Sequence, residues 1–293
     1  MRGVGTEIIF IDKKPDLALA QAEDILHATP FAFPISCRAG NYDDLENAGI
    51  VIIAAGVSQK PGETRLDLLK RNANVFADII PKILKHSSDA ILLIATNPVD
   101  VMTHLAAKIS ANHSDHNPRR IIGSGTILDT ARFRSLLGQY LGVSSHSVHG
   151  HVLGEHGDSE VLNWSGTTVS SMPLMRFATQ AGAPITKKIQ MQIDDNVRRA
   201  AYRIIQGKGA TWYGIAAGVT RIAQAIVNDE HTVLTCSALT PKIENVSEVS
   251  LSIPRIISAQ GIKRTIYPAL NKEESKALRA SAEILKEAIE QLE

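Results

Sequence analysis

The sequence predicts an α/β protein in which a doubly wound, Rossmann-type parallel sheet is followed by an α+β domain. The first observation is a set of three short, continuous apolar runs at residues 7–11, 50–55 and 90–95, each with the length of a buried strand. The second observation is that helical patterns separate these runs. Buried strands that alternate with helices are typical of a parallel sheet covered on both faces.

The first half of the chain is predicted to carry two helices between these strands. Residues 16–28 are rich in alanine, leucine and glutamate, which favour a helix after the first strand. Between the second and third strands, apolar residues recur at helical spacing from Leu68 to Leu84. Asn72 is the single polar residue on that face. The pattern therefore predicts an amphipathic helix in this segment.

The character of the sequence changes after residue 122, where long helical patterns begin to dominate. We therefore expect a domain boundary near Ile122, which divides residues 1–122 from residues 123–293. The main signs of the second domain are helical periodicity over residues 193–205 and 214–228, and a capping box formed by Asn271 and Glu274 at the start of the last helix.

Composition excludes several classes of function. The 293 residues include 31 basic and 30 acidic side chains, so no strongly basic surface for nucleic acid or for a membrane is expected. The longest apolar runs are too short to span a bilayer. The chain begins with too few apolar residues for a secretory signal. A cytoplasmic protein is therefore expected.

The cysteines and one pair of histidines are the candidates for a metal or redox site. Cys37 and Cys236 lie far apart and have no partner at the spacing of a zinc or redox motif, which favours a reducing compartment. His113 and His116 have a spacing that suits a metal, but they lie in a polar loop without a third ligand. They are interpreted as surface residues, and no metal is expected.

The most informative segment is Gly-Glu-His-Gly-Asp at residues 154–158, where glycines flank a single histidine. Glycine permits a sharp turn and a close approach of a ligand, and histidine exchanges protons near neutral pH. Asp129 and Arg132 lie one helical turn apart upstream, and a polar loop at residues 59–65 ends in Arg65. An acid, two arginines and a histidine suit the reduction of a carbonyl that carries a neighbouring carboxylate.

Taken singly, each of these residues also has an ordinary structural interpretation. Asp129 would be a reasonable N-cap of the helix that follows it. Arg65 and Arg132 would be ordinary surface arginines. Taken together, the residues occur in an order that independent structural roles do not explain.

That order resembles the L-lactate dehydrogenases, within the lactate/malate dehydrogenase family, over nearly the whole chain. The resemblance rests on six segments: Asp12 after the first strand, and residues 59–65, 95–100, 123–134, 154–158 and 208–211. It implies an NAD-dependent oxidoreductase that interconverts L-lactate and pyruvate in fermentative glycolysis. A malate dehydrogenase, or another 2-hydroxy acid dehydrogenase, is the alternative within the family.

The resemblance also implies a role for each matching residue. His156 would donate and accept the proton, and Asp129 would hold its imidazole and stabilise the imidazolium. Arg132 would bind the substrate carboxylate in a two-pronged contact. Arg65 would close over the substrate on a mobile loop and polarise its carbonyl. The implied substrate contacts are Gln59, Arg65, Asn97, Asp129, Arg132 and Thr211, and the implied NAD contacts are Asp12, Tyr42, Gly56, Val57, Ala95, Thr96, Asn97 and Ser124.

Gln59 bears on the choice of substrate. The resemblance places an arginine at this position in malate dehydrogenases, where it meets a second substrate carboxylate. A neutral side chain leaves such a carboxylate without a partner, which is costly in a closed site. Gln59 therefore favours pyruvate and L-lactate over oxaloacetate and malate.

Two further residues match an effector site of the allosteric bacterial members. Arg134 and His149 correspond to positions that bind fructose 1,6-bisphosphate between subunits, and both are suitable partners for phosphate. The alternative is that both are plain surface residues. The resemblance also implies a homotetramer.

The sequence departs from the family pattern at its beginning. The family has a strand and a G-x-G-x-x-G turn before the acid that binds ribose, and this sequence has neither before Asp12. The strands at residues 7–11 and 50–55 are then expected to lack the neighbour that would lie between them. A second class of function therefore stays open, in which the chain is a non-catalytic relative that assembles but does not hold the cofactor.

Overall fold

A computed structural model describes residues 2–57, 62, 64–112 and 116–292. Its helices are α1 (Pro15–Ala28), α2 (Arg65–His86), α3 (Val99–Ala111), α4 (Ile127–Leu141), α5 (Leu174–Gln180), α6 (Lys187–Arg198), α7 (Ala200–Lys208), α8 (Tyr213–Val227) and α9 (Lys272–Glu290). Its strands are β1 (Glu7–Phe10), β2 (Ser36–Ala39), β3 (Ile50–Ile53), β4 (Ile91–Ile94), β5 (Ile121–Gly123), β6 (Val148–His149), β7 (Val152–Leu153), β8 (Val161–Leu162), β9 (Thr168–Val169), β10 (Met172–Pro173), β11 (Thr232–Ile243), β12 (Val246–Ser258) and β13 (Gly261–Thr265).

The largest sheet in the described residues has the strand order β13-β12-β11-β5-β4-β3. The strands β3, β4 and β5 are parallel, as the apolar runs predicted. The long strands β11, β12 and β13 form an antiparallel extension, and β11 joins β5 where Ser237 lies opposite Gly123. Hydrogen bonds of one sheet therefore continue past the boundary expected near Ile122.

Helices cover both faces of this sheet, and β4 shows how the faces alternate. Leu92 and Ile94 join a core shared with α2, α3 and α9. Ile91 and Leu93 point to the other face and join a core with α8. A third core lies between α4, α5 and α6 and beneath the short strands of the second half. The alternation follows from the two-residue period of a strand.

A gap in the sheet interrupts the first half of the fold. The strands β1 and β2 form a separate parallel pair, which does not share hydrogen bonds with β3 in the described part of the chain. This is the break expected from the missing strand. The prediction of a fully buried strand at residues 50–55 is wrong, because Ile52 is 50% exposed. An edge strand without a neighbour on one side leaves part of its surface uncovered.

The helices of the second half agree with the sequence prediction except at one point. A single helix was expected over residues 193–205, whereas α6 ends at Arg198 and α7 begins at Ala200. The helix α6 buries Ile193 and Val197, but no residue of α7 is buried. The apolar periodicity of the sequence continues from α6 into α7. It therefore does not show where the helix ends or where burial of its apolar face stops.

The start of α9 contains the predicted capping box, and its acid makes further hydrogen bonds outside the helix. The Asn271 side chain accepts from the Glu274 backbone N–H at 2.9 Å, and Glu274 accepts from the Asn271 N–H at 3.1 Å. The buried Glu274 carboxylate also accepts from the Ser165 backbone N–H at 2.9 Å, the Ser165 hydroxyl and the Asn163 amide at 3.2 Å. It therefore joins α9 to the segment after β8.

We expect Glu274→Ala to destabilise the fold by at least about 3 kcal/mol, because buried donors lose their acceptor at a cost of about 1–3 kcal/mol each. The measurement is thermal unfolding followed by circular dichroism. Glu273→Ala is the matched control, since Glu273 lies in the same first turn but is exposed. Equal losses of stability in the two variants would contradict this account.

Candidate active site

The central histidine lies in the loop between β7 and β8. Gly154 precedes it with φ +84°, and a Cβ atom at Gly154 would lie 2.6 Å from the Ser281 hydroxyl oxygen. Glycine is therefore required at this position by both conformation and space. Two backbone hydrogen bonds join Gly154 to Ser252 of β12, at 2.8 and 2.9 Å. The loop that carries His156 is thus anchored to the main sheet.

Asp129 lies in the first turn of α4 and contacts two of the predicted catalytic residues. Its Oδ2 lies 2.5 Å from Nδ1 of His156, and its Oδ1 accepts from Nη1 of Arg132 at 2.6 Å. Thr126 occupies the N-cap position of α4, so Asp129 is not the helix N-cap. With Nδ1 engaged, Nε2 of His156 is the nitrogen that is free to exchange a proton with a substrate.

The surroundings of His156 strongly favour its charged form. Burial alone lowers the pKa of the imidazole, but the charge and hydrogen bond of Asp129 outweigh this effect, and the pKa of His156 is raised to about 9. Burial likewise raises the pKa of Asp129, but His156 and Arg132 together hold that pKa below its usual range. At neutral pH the two side chains therefore form an imidazolium–carboxylate pair.

The main chain of His156 is held by a second carboxylate. The His156 backbone N–H donates to Oδ2 of Asp100 at 2.7 Å, and Asp100 is fully buried near the start of α3. Sequence reasoning missed this contact, because the two residues are 56 positions apart. The only signal in the sequence is an acid directly after Asn97-Pro98-Val99.

Glu160 is a further buried acid in this neighbourhood that sequence reasoning missed. Its side chain is 3% exposed, and its Oε1 has no hydrogen-bond partner among the described residues. Burial, together with the charge of Asp129, raises the pKa of Glu160 to about 8. At neutral pH this carboxyl group is therefore mostly protonated.

The residues expected to contact NAD lie after the carboxyl ends of strands. Gly56 and Val57 follow β3, Ala95 to Asn97 follow β4, and Ser124 follows β5. Because parallel strands end at the same edge of a sheet, these loops are neighbours. Asp12 follows β1, and Tyr42 lies in the short 3-10 helix after β2, where its ring packs against the core.

Asn72 of α2 joins two of these loops. Its Oδ1 accepts from the Val57 backbone N–H at 2.8 Å, and its amide nitrogen donates to the Asn97 carbonyl oxygen at 3.4 Å. Thr96 holds the same region, since its hydroxyl donates to the Ala55 carbonyl oxygen at 2.7 Å. The sequence marked Asn72 as the lone polar residue on an apolar face but did not indicate this role.

The remaining predicted residues are Gln59, Arg65 and Thr211. Gln59 lies outside the described residues, and so does the side chain of Arg65, whose backbone begins α2. Thr211 is half-buried in the turn that leads into α8. The first turn of α8 approaches α4 closely, because a Cβ atom at Gly214 would lie 3.0 Å from the Leu128 side chain, next to Asp129.

Arg134 and His149 lie near each other together with a third basic residue, His151. Arg134 is partly buried, and its Nε donates to the Gly150 carbonyl oxygen at 2.9 Å. His149 is exposed. Burial, followed by the positive charges of Arg134 and His149, lowers the pKa of His151 to about 4. The three basic side chains form a small cluster.

Other expectations concerned metals and membranes. His116 was interpreted as a surface residue, but it is buried, and its Nε2 lies 3.3 Å from the Ala90 carbonyl oxygen, whereas His113 lies outside the described residues. The described part of the chain contains no group of three or more metal-ligating side chains. None of its helices is long and apolar enough to cross a lipid bilayer.

Comparison with known families identifies matches along the whole chain. Residues 1–123 match the family model described as the NAD binding domain of lactate/malate dehydrogenase. Residues 126–293 match the alpha/beta C-terminal domain of the same family.

Individual relatives agree with these matches. An L-lactate dehydrogenase of Thermus aquaticus is 58% identical over 98% of this chain and 92% of its own length. One from Allorhizobium ampelinum is 54% identical over 98% of this chain and 91% of its own length. The solved minor L-lactate dehydrogenase of Enterococcus mundtii is 36% identical, with a TM-score of 0.94 over 99% of this chain and 91% of that chain.

We expect Asp129→Asn to lower the pKa of His156 from about 9 toward its ordinary value of about 6.5 or below, because burial is then opposed only by the weaker effects of Asp100 and Glu160. NMR titration of the imidazole protons measures this change, and His151 serves as an internal control. In the parent protein, the stabilisation that the pair provides is complete below about pH 6.5 and is lost as pH rises through the folded-state pKa. A His156 that still titrates near 9 in the variant would contradict this explanation.

Proposed function

Because the chain belongs to the lactate/malate dehydrogenase family, we propose that it is an NAD-dependent L-lactate dehydrogenase. It interconverts pyruvate and L-lactate, and we place it in the cytoplasm at the last step of fermentative glycolysis. The observation that carries the proposal is the contact of Asp129 with both His156, at 2.5 Å, and Arg132, at 2.6 Å. This intact arrangement favours catalysis over the alternative of a non-catalytic relative.

We propose that residues 1–122 form an NAD-binding domain and that residues 123–293 form a substrate domain. The loops after β3, β4 and β5 fit the nicotinamide and ribose half of the cofactor. Gly56 approaches its neighbours so closely that a Cβ atom there would lie 3.0 Å from the Thr96 methyl group. Asp12 has an exposed carboxylate at the end of β1, where it suits ribose hydroxyl groups. When bound, NAD supplies or accepts the hydride at C2 of the substrate.

We propose that His156 moves the proton through Nε2. In pyruvate reduction the imidazolium gives its proton to the carbonyl oxygen, and in lactate oxidation the neutral imidazole takes the hydroxyl proton. Asp129 holds Nδ1 and stabilises the positive charge. Because the pKa of His156 is about 9 in this structure, the free protein is already protonated for pyruvate reduction at neutral pH.

The remaining residues are proposed to bind and enclose the substrate. Arg132 binds the substrate carboxylate with Nε and Nη2, which have no protein acceptor among the described residues. Arg65, at the start of α2, polarises the carbonyl as negative charge develops on its oxygen. Asn97 contacts the substrate and the nicotinamide ribose, and Thr211 lines the pocket.

Gln59 supports pyruvate as the substrate over oxaloacetate, because a neutral amide offers no charge to a second carboxylate. The relatives named L-lactate dehydrogenase also do not favour the malate alternative. The breadth of 2-oxo acids accepted depends on more than this residue.

We expect Gln59→Arg to raise kcat/KM for oxaloacetate relative to pyruvate by on the order of 100-fold, as the arginine pairs with the second carboxylate. Steady-state NADH oxidation with each acid measures the ratio. Gln59→Met, which is uncharged and of similar length, is the matched control and leaves oxaloacetate a poor substrate. An unchanged ratio in Gln59→Arg would contradict the assignment of substrate. Failure of the parent protein to reduce pyruvate would contradict the proposed function itself.

We also propose a homotetramer that fructose 1,6-bisphosphate regulates through Arg134 and His149. The cluster of these two residues with His151 supports an anionic effector, because burial disfavours the charged forms of Arg134 and His151 and a bound anion would favour them. Phosphate groups match the guanidinium and imidazole donors of such a cluster.

We expect fructose 1,6-bisphosphate to lower KM for pyruvate on the order of 10-fold in the parent protein, a typical allosteric coupling. Arg134→Gln is expected to abolish the response without changing kcat. Arg176→Gln, which removes an arginine of α5 that is not part of this cluster, is the control. Light scattering with and without effector follows assembly. If neither KM nor molecular mass responds in the parent protein, the regulatory proposal is wrong.

A further inference from the structure

Asp100 is a buried carboxylate that reaches the main chain of His156 from another part of the fold. It is the second residue of α3 and is 1% exposed. Its Oδ2 accepts the His156 backbone N–H at 2.7 Å. The backbone nitrogen of His156 is bonded to the Cα atom that carries the imidazole. The hydrogen bond therefore fixes the position from which the imidazole reaches Asp129.

The second oxygen of Asp100 is less well satisfied. Its Oδ1 has no partner at good hydrogen-bond geometry among the described residues, and the same is true of the Ser237 hydroxyl of β11. That hydroxyl still lies near enough to favour the ionised carboxylate. A buried acceptor without a full partner costs stability. The surroundings of Asp100 therefore do not maximise the stability of the fold.

The groups that face Asp100 come from several elements. His156 and Glu155 lie on the loop after β7, Ser237 lies on β11, and Arg255 lies on β12. The peptide dipoles at the start of α3 favour a negative charge at this position. Burial raises the pKa of Asp100 to about 6. The carboxylate is thus mostly ionised at neutral pH and becomes protonated in mild acid.

We propose that Asp100 is a positioning residue for proton transfer. Its ionised carboxylate holds the main chain of His156 in place and adds negative charge that keeps the imidazole protonated. This proposal rests on the proton-transfer role proposed for His156.

The buried charge of Asp100 lowers the stability of the fold at neutral pH. This cost distinguishes a positioning role from a purely structural one. A carboxyl group with a raised pKa stabilises the fold fully only below its unfolded-state pKa of about 3.9. That contribution is lost as pH rises through the folded-state pKa of about 6. Asparagine keeps an acceptor oxygen for the His156 N–H and removes the buried charge. The fold is therefore expected to be at least as stable with asparagine at neutral pH.

The decisive variant is Asp100→Asn. At pH 7.5, kcat for pyruvate reduction is expected to fall about 10- to 100-fold, because an amide oxygen holds the His156 N–H more weakly than a carboxylate does and small misplacements of catalytic groups have effects of this size. KM for pyruvate and the melting temperature are not expected to worsen. In the parent protein, kcat is expected to fall in mild acid as Asp100 becomes protonated. This fall disappears in Asp100→Asn, and NMR titration gives a lower pKa for His156. Asp78→Asn is the control, since Asp78 is exposed and pairs with Lys82 on α2.

Ser237→Ala tests the same carboxylate without altering it. Loss of the hydroxyl is expected to raise the pKa of Asp100, so the acid-side fall of kcat moves to higher pH while the maximum rate is retained. The proposal is overturned if Asp100→Asn leaves the pKa of His156 unchanged, or lowers rate and stability equally at every pH. A parent protein without dehydrogenase activity would refute the proposed function instead, and the NMR titration would still decide the role of Asp100.

Discussion

The arrangement of the site depends on the pair formed by Asp129, which is buried, and His156, which is partly buried. Removing two charges from water is costly, and their attraction offsets that cost only when the contact is close and the remaining polar atoms are satisfied. The distance of 2.5 Å between them, and the second bond of Asp129 to Arg132, meet these conditions. The requirement explains why the loop of His156 is so firmly held. Gly154 allows its turn, Ser252 anchors it to β12, and Asp100 fixes its main chain.

The same electrostatics decide which acids of the site are ionised. Asp129 is next to two positive groups, and its pKa is lowered. Glu160 is buried near the charge of Asp129, and its pKa is raised to about 8. Like charges in a dry environment do not both ionise when one of them can take up a proton. Glu160 therefore adds little negative charge at neutral pH. The positive charge of Arg132 stays available to an anionic substrate.

Local interactions were predictable from the sequence, and long-range ones were not. The capping box of Asn271 and Glu274 spans one helical turn, and short apolar runs predicted the parallel strands. The contact of Asp100 with His156 depends on how α3 packs against the loop after β7, which lies far away in the sequence. The break between α6 and α7, and the exposure of Ile52, depend on which surfaces find a partner. The candidate catalytic residues were predicted from the resemblance to a family, because periodicity does not show which distant residues meet in the fold. The resemblance named these residues but not their distances or contacts.

Arg255 extends this electrostatic arrangement into the core. It is 1% exposed, and its guanidinium donates to the carbonyl oxygens of Cys236, Ala238 and Leu251 and to the hydroxyls of Thr240 and Thr265. Burial lowers its pKa to about 10, so it remains charged at neutral pH, and Asp100 faces it. Charges therefore alternate in sign from the sheet to the cleft, in the order Arg255, Asp100, His156, Asp129 and Arg132. In the proposed function, a substrate carboxylate bound to Arg132 would add the next negative charge. A neutral substrate would not extend this alternation, so the charges around Arg132 are consistent with the anionic substrate proposed for the site.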